Sequence, residues 1–316
     1  ASLFNKGGYL MAMGTWTIDS GSGMDDHAVF FTSEGQVAIY QGIDPSTAAG
    51  FVLVGVYDIG QPVTRNCFVK YGSDLLLICR DGVMPLSAAL QSSRVTTKVS
   101  ITDKIQQAMS EATGTWAGNY GWQLQVFPEK NALILNVPVL GGQQQFVMNT
   151  LGGSWCRFLG WNASCFVQSG SRLFFGTAGK VVEAWVGAND SGIAITGNAL
   201  PSFQYHSGMV QKRYTMARPI ITTDSPGIGV LLGLNLDFSI VEPVGSPTFS
   251  PVAVAIWDVA TWDDGIWSGG LTLRKDWNTI GGVGYAAALF LKVQTNTAQL
   301  RWASVDYVYE PGQGIL

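Results

Sequence analysis

The feature of this sequence that most limits its fold is a recurring pair of apolar, β-rich runs separated by a tight turn that contains glycine. The four copies lie at residues 28–40, 74–86, 132–148 and 172–185. Their turn glycines, separated by 47, 60 and 37 residues, are Gly35, Gly82, Gly142 and Gly179. Such pairs are typical of β-hairpins, and repetition at ~40–50 residues is typical of propeller blades. The pattern predicts an all-β fold with about four blades, and an irregular β-sandwich would produce the same hairpins.

The composition agrees with short strands, tight turns and large contacts between subunits. Glycine accounts for 39 of the 316 residues, and glycine supplies the positive-φ positions of tight turns. Charged residues make up 13% of the chain, against ~25% in an ordinary soluble domain. Charged residues are depleted at the cores of protein–protein interfaces. We therefore expect much of the surface to be covered by other subunits.

One segment departs from the strand pattern and predicts a helix over 100–112. Ile101, Ile105, Ala108 and Met109 recur at the spacing of one helical face. Ser100 or Thr102 can cap its start, and Gly114 follows its predicted end. Because this segment lies between two hairpins, we expect a helix inserted between blades, on the exterior or rim of the propeller.

Connector-like residues near 200–215 predict a boundary between two domains. We assign 1–205 to a β-propeller-like domain, incomplete at its N-terminus because the first strand signal starts at once. We assign 206–316 to a β-sandwich-like domain, because several strands there are punctuated by Gly and Pro. Its predicted strands are 214–223, 229–242, 252–257, 286–295 and 300–309.

The residues that could carry catalysis are sparse, and we predict that the protein is not an enzyme. The only histidines are His27 and His206, and a turn or capping role suits His27 better than a catalytic one. A glycosidase would need two carboxylates that face each other across a cleft. The two Asp-Asp pairs, 25–26 and 263–264, put adjacent side chains on opposite faces or in turns.

No metal or cofactor site is predicted either. The four cysteines form no CxxC pair, and we expect reduced thiols packed in strands rather than disulfides. Calcium and phosphate-binding loops are absent from the sequence. No apolar stretch approaches the ~20 residues of a membrane span, so we expect no stable membrane insertion.

A run of tryptophans near the C-terminus is the candidate interface of the chain. Its members are Trp257, Trp262, Trp267 and Trp277. Their spacing suits a loop that winds over an apolar surface better than one strand face. Two roles stay open: a platform for sugar or a partner protein, and a clasp that closes the edge of the sandwich. The second is the simpler.

Several blocks of the sequence are similar to a known family. The block at 21–45, which reads GSGMDDHAVFFTSEGQVAIYQGIDP, resembles the tail nozzle, or DNA-stabilisation, proteins of short-tailed bacteriophages. The resemblance continues through 53–62 and 81–90 and returns at 155–160, 173–181 and 190–193. It covers roughly residues 15–220, while the Trp-rich C-terminal part is similar only in general style.

This resemblance implies a structural protein of the phage tail, assembled in the host cytoplasm. Members of the family form a hexameric tube below the portal and adaptor proteins, next to fibre, spike or needle proteins. The tube retains the packaged genomic DNA and conducts it during ejection. The resemblance carries over no catalytic residues. A net charge of −4 with no basic stripe is consistent with a conduit that does not bind DNA tightly.

Three other functions remain open on the sequence alone. A receptor- or sugar-binding phage tail protein would have an exposed aromatic groove around Trp262 and Trp267. A host-derived propeller that binds peptides would have closer repeats and a closed, monomeric disc. A glycosidase would have buried, facing carboxylates.

Overall fold

The computed structural model describes residues 3–19, 24–42, 44–47, 50–91, 100–225, 227–248, 250 and 271–312. The fold is all-β with a few short helical segments, as the sequence predicts. The chain forms two compact units, Ala1–Ala184 and Trp185–Leu316. The sequence-based boundary at 205/206 therefore falls inside the second unit. The reason is that residues 195–199 pair with a strand at 287–295 of that unit.

The first unit contains four antiparallel sheets that follow one another along the chain. Sheet 1 consists of β1 (Leu10–Asp19), β2 (Met24–Thr32), β3 (Gln36–Gly42) and β4 (Phe51–Asp58). Sheet 2 consists of β5 (Phe68–Tyr71), β6 (Asp74–Cys79) and β7 (Gly82–Pro85). Sheet 3 consists of β8 (Gln123–Phe127), β9 (Ala132–Val139), β10 (Gly142–Asn149) and β11 (Trp155–Phe158). Sheet 4 consists of β12 (Cys165–Ser169), β13 (Arg172–Thr177) and β14 (Lys180–Ala184).

The four hairpins predicted from the sequence are confirmed as β2–β3, β6–β7, β9–β10 and β13–β14. In each of the four sheets of this unit the strands lie side by side in chain order. Successive antiparallel meanders of this kind are the building units of propellers. The closed ring of blades that defines a propeller stays a prediction.

Strand β6 shows how the sheets of this unit bury both faces. Leu75 and Leu77 pack with Val29 and Phe31 of sheet 1. Leu76 and Ile78, which alternate with them along the strand, pack with the core residues of sheet 3. Because successive side chains of a strand point to opposite faces, an uninterrupted apolar run is what a doubly covered strand requires.

The helices depart from the sequence prediction in number and position. A helix α1 (Leu86–Gln91) follows β7 and was not predicted. A single 3₁₀ turn at Asp103–Ile105 leads into α2 (Gln106–Trp116), so the helix begins and ends later than 100–112. Neither Ser100 nor Thr102 caps it, because both hydroxyls hydrogen-bond to the backbone of Val83.

Helix α2 packs into the core of the first unit, whereas the sequence predicts a helix on the exterior or rim. Met109 is fully buried, and Ala112 is 5% exposed. Both belong to the apolar cluster that sheets 2 and 3 share. Gly114, expected just beyond the helix, lies inside its last turn. The predicted periodicity was correct for the buried face, and the capping residues were misassigned.

The described residues of the second unit form two sheets that share an apolar core, as a sandwich-like domain requires. Sheet 5 contains β15 (Ile195–Ala199), β17 (Gly229–Leu236) and β20 (Ala287–Thr295), with β20 in the middle. Sheet 6 contains β16 (Lys212–Thr223), β18 (Thr272–Arg274), β19 (Asn278–Gly284) and β21 (Leu300–Pro311). Strand β21 pairs along one edge of β16, and β18 and β19 pair along the other.

Tyr214 and Ala217 of sheet 6 meet Leu289 of sheet 5 in the core of this unit. The strand predicted over 229–242 ends at Leu236, because Asp237 and Phe238 both have positive φ, 48° and 64°. Extended backbone cannot continue through such a pair. The strand predicted at 252–257 lies outside the described residues.

Candidate interaction surfaces

Of the predicted tryptophan interface, the structure describes only Trp277. Trp257, Trp262 and Trp267 lie outside the described residues. Trp277 is 42% exposed, and the guanidinium of Arg218 lies 4.6 Å from its ring centroid. Arg218 is held there by Asp306, whose Oδ2 accepts a 2.6 Å hydrogen bond from its Nη2. One face of Trp277 is therefore covered by a cation, which leaves less ring surface for a partner.

The four predicted turn glycines occupy two kinds of position. Gly35 and Gly179 lie in the turns of their hairpins with φ of +79° and +70°. Gly82 is the first residue of β7, with φ +133°. Gly142 is the first residue of β10, so the turn of that hairpin is formed by the preceding residues, including Gly141 with φ +78°. The glycine needed for its backbone is Gly141.

Two of these glycines also allow close approach of another segment. A Cβ at Gly35 would lie 2.5 Å from the carbonyl oxygen of Ile59. At Gly82 it would lie 2.5 Å from Oγ1 of Thr102. Real Cβ atoms essentially never approach that closely, so both positions require glycine for space as well as for φ.

A row of three amide side chains crosses sheet 3. Asn136 of β9 lies opposite both Gln123 of β8 and Gln145 of β10. Asn136 and Gln145 are completely buried, and the Gln145 amide donates to Oδ1 of Asn136 at 2.8 Å. Buried polar side chains require hydrogen-bond partners, which this row finds mainly outside its own sheet.

Most partners of the amide row lie in the segment that connects sheet 3 to sheet 4 and in β12, the first strand of sheet 4. Gln145 donates to the carbonyl of Trp161 at 2.9 Å, and Asn136 donates to that of Ala163 at 2.8 Å. Gln123 both accepts from and donates to the backbone of Phe166. These bonds hold the connecting segment against sheet 3, so the row positions sheet 4 relative to sheet 3. The sequence analysis missed it, because the three residues come together only when the strands pair.

The first and last sheets of the first unit expose apolar side chains. In β4 of sheet 1, Val52 is 53% exposed and Val54 is 48% exposed. In sheet 4, Val167 and Val181 are exposed on one face. Exposed apolar clusters mark candidate contact surfaces. These two surfaces are candidate contact surfaces of this unit.

The second unit contains a histidine among tyrosines. His206 has φ +44°, and its Nδ1 lies 3.2 Å from the hydroxyl of Tyr214. Its ring also contacts those of Tyr307 and Tyr309. Burial lowers the pKa of His206, and the nearby Lys212 ammonium acts in the same direction. Burial raises the pKa of Tyr307 to about 12. Within the described residues, the cluster thus packs the imidazole against three tyrosine side chains.

Lys212 fastens the loop that leads into β16. Its side chain is fully buried, and its Nζ donates to the carbonyls of Gly208, Val210 and Tyr285 at 2.6, 2.6 and 3.0 Å. All three hydrogen bonds of this ammonium group use backbone oxygens. A buried lysine is rare unless its donors are satisfied, so the loop geometry and the lysine depend on each other.

The aspartates and histidines considered as catalytic candidates form no cluster among the residues that the structure describes. Asp25 and Asp26 lie in β2, and Asp263 and Asp264 lie outside the described residues. His27 is buried against Trp16, with ring centroids 5.9 Å apart. No group of three His, Cys, Asp or Glu side chains within the described ranges could hold a metal ion.

Comparison with protein-family models and with curated proteins found no match to this chain. None of the helices in the described parts of the chain is long and apolar enough to cross a membrane.

Proposed function

We propose that this chain is a virion structural protein that forms the tail nozzle of a short-tailed bacteriophage. In this proposal it is built into a ring, with six copies as in the family it resembles. The ring retains packaged DNA below the portal and adaptor proteins and conducts it during ejection. Fibre, spike or needle proteins would contact it from the other side. The proposal locates the protein in the phage tail, after assembly in the host cytoplasm.

The observation that carries the proposal is the pair of apolar surfaces on the first and last sheets of the first unit. Val52 and Val54 on one sheet, and Val167 and Val181 on the other, offer two different surfaces. A ring requires contacts of this kind, in which one surface meets a different surface of the neighbour. Four successive antiparallel meanders are also what the propeller part of the resemblance implies.

Electron microscopy of the purified full chain, together with native mass spectrometry, tests the proposal. We expect rings in which each subunit buries more than ~1,000 Å² against its neighbours. Val181→Glu would place a charge in the contact and should shift the population to single subunits. Gln107→Glu, an exposed change on α2, is the matched control and should leave the rings intact. Single subunits at all concentrations for the parent chain would reject the proposal.

The alternative of a receptor- or sugar-binding tail protein stays a prediction. Its expected groove centres on Trp262 and Trp267, which the structure does not describe. Binding of glycans to the full chain that is lost in Trp262→Ala would favour it over the nozzle.

A further inference from the structure

A groove of about 520 Å³ runs between α2 and the outer strands of sheet 3. Ile105, Ala108 and Ala112 line its helix side at three- and four-residue spacing. Phe146 of β10 and Trp155 of β11 line its sheet side. The volume lies in the ~300–1,000 Å³ range of ligand-binding sites. The base of the groove, called the floor below, is therefore a preformed apolar surface between a helix and a strand.

The groove extends onto β11, the strand at the end of sheet 3. Three consecutive residues, Trp155, Cys156 and Arg157, all line it. Trp155 and Arg157 lie opposite Met148 and Phe146, on the face that Phe146 presents to the groove, and Cys156 lies between them in the same strand. Among the described residues, β11 pairs with β10 alone. An edge strand with unpaired backbone groups is a template for another strand.

The groove has two charged lining residues, Glu111 and Arg157, and two neutral polar ones, Thr115 and Gln144. Glu111 is exposed on the helix side, and Arg157 is exposed on the strand side. The indole N–H of Trp155 already donates to the carbonyl of Ile101 at 3.1 Å, so it is not available to a ligand. The floor consequently offers apolar contact, the strand edge offers backbone hydrogen bonds, and the two charged lining residues offer one charge of each sign.

We propose that this groove binds an extended polypeptide segment of a partner protein, which adds to sheet 3 as a strand beside β11. The backbone of the segment would pair with β11, and every second side chain, apolar, would enter the space between Ala108 and Trp155. Recognition by strand addition derives affinity from main-chain hydrogen bonds and specificity from pockets for alternate side chains. The two charged lining residues favour a segment with an acidic residue near Arg157 and a basic residue near Glu111. The site goes beyond the proposed nozzle and does not depend on it.

A displayed library of random peptides of about 12 residues, selected on the full chain, tests this inference. We expect enriched sequences with apolar residues at alternate positions. Labelled synthetic copies should bind Thr115→Trp, which adds bulk at a residue that lines the groove, at least about tenfold more weakly than the parent. Ser110→Trp is the matched control, since Ser110 is exposed on the same helix and does not line the groove. It should bind within about twofold of the parent.

Hydrogen exchange distinguishes strand addition from other modes of binding at the same place. Bound peptide should slow exchange of the backbone amides in residues 155–158. No enrichment over an unrelated target, equal binding by parent and Thr115→Trp, or binding without protection in 155–158 would each overturn the proposal. Circular dichroism of both tryptophan variants checks that they keep the parent fold.

Discussion

Gln123 of β8 and Phe166 of β12 exchange two hydrogen bonds, although they belong to different sheets. The backbone N–H of Phe166 donates to Oε1 of Gln123 at 2.7 Å, and Nε2 of Gln123 donates to the carbonyl of Phe166 at 2.8 Å. A side-chain amide thus pairs with the backbone as a neighbouring strand would. Trp161 stacks on Phe175 of sheet 4 near the same connection, with ring centroids 5.6 Å apart. Sheets 3 and 4 are therefore joined by polar and aromatic contacts together.

Replacing Gln123 by Ala should destabilise the first unit. Both backbone groups of Phe166 would lose their partner, and an unsatisfied buried group costs ~1–3 kcal/mol. Gln125→Ala is the control, because the amide of Gln125 donates only to the adjacent carbonyl of Val126. We expect it to change the free energy of unfolding by less than about 0.5 kcal/mol. Urea unfolding followed by tryptophan fluorescence measures both, and equal effects would contradict the role of Gln123.

The two hairpin-turn glycines should differ in their tolerance of alanine. Gly179→Ala meets only the cost of positive φ, ~1–2 kcal/mol, because a Cβ there contacts nothing within 4 Å. Gly35→Ala meets the same cost and in addition collides with the carbonyl of Ile59. Thermal unfolding should show a larger loss for Gly35→Ala. A larger loss of thermal stability for Gly179→Ala would contradict this expectation, because it would mean that the Gly35 turn shifts to avoid the collision with Ile59.

The stability of the second unit should fall as the pH falls below neutrality, in part through His206. The pKa of His206 is lowered in the folded state by burial, so the unfolded chain binds the proton first. The contribution of His206 to the free energy of unfolding is complete above its ordinary pKa of 6.5. It is lost as the pH falls toward the lowered pKa of the folded state. Tyr214 and Tyr307, whose pKa values are raised, stay protonated throughout.

His206→Asn isolates this effect, since asparagine tolerates the positive φ of the position. The difference in urea midpoint between pH 7 and pH 5 should be smaller for the variant than for the parent. The other titratable groups are the same in both proteins, so their contributions to the pH dependence cancel in the comparison. An identical pH dependence of parent and variant would contradict the assignment.

Lys212→Met should destabilise the second unit more than any change at its exposed neighbour. The substitution keeps most of the apolar stem but leaves the carbonyls of Gly208, Val210 and Tyr285 without their donor. We expect a loss of ~2–4 kcal/mol and faster hydrogen exchange in residues 206–212. Arg213→Met serves as the control, because Arg213 is exposed. Unchanged stability of Lys212→Met would mean that water replaces the ammonium group.

Duplex DNA should bind the assembled protein weakly. The chain carries a net charge of −4, and tight binding would require the release of several counterions through basic side chains. Fluorescence anisotropy with labelled duplex over a range of salt concentrations should give a shallow slope of log affinity against log salt. Submicromolar binding at physiological salt, with a slope that implies about six or more released counterions, would indicate a clamp rather than a passive conduit.

The parts of the candidate sites that the sequence could not reveal depend on residues far apart in the chain. Lys212 takes one of its three carbonyl partners from Tyr285, and β11 lines one groove together with a helix that begins at Gln106. The groove residues Ala108 and Trp155 read as ordinary core positions in isolation. Only their separation in the folded unit leaves a space between them.

By itself, the sequence determined the hairpins and the all-β class, because the alternation of apolar runs and turn glycines is local in the chain. Tertiary structure decided where those patterns begin and end. Ser100 and Thr102 satisfy the backbone of Val83 instead of capping α2, which moves the helix to Gln106–Trp116. Pairing of Gly142 with Val139 moves the turn back to Gly141. In both cases a hydrogen bond made across strands or segments outweighed a local preference, and such partners are known only once the chain has folded.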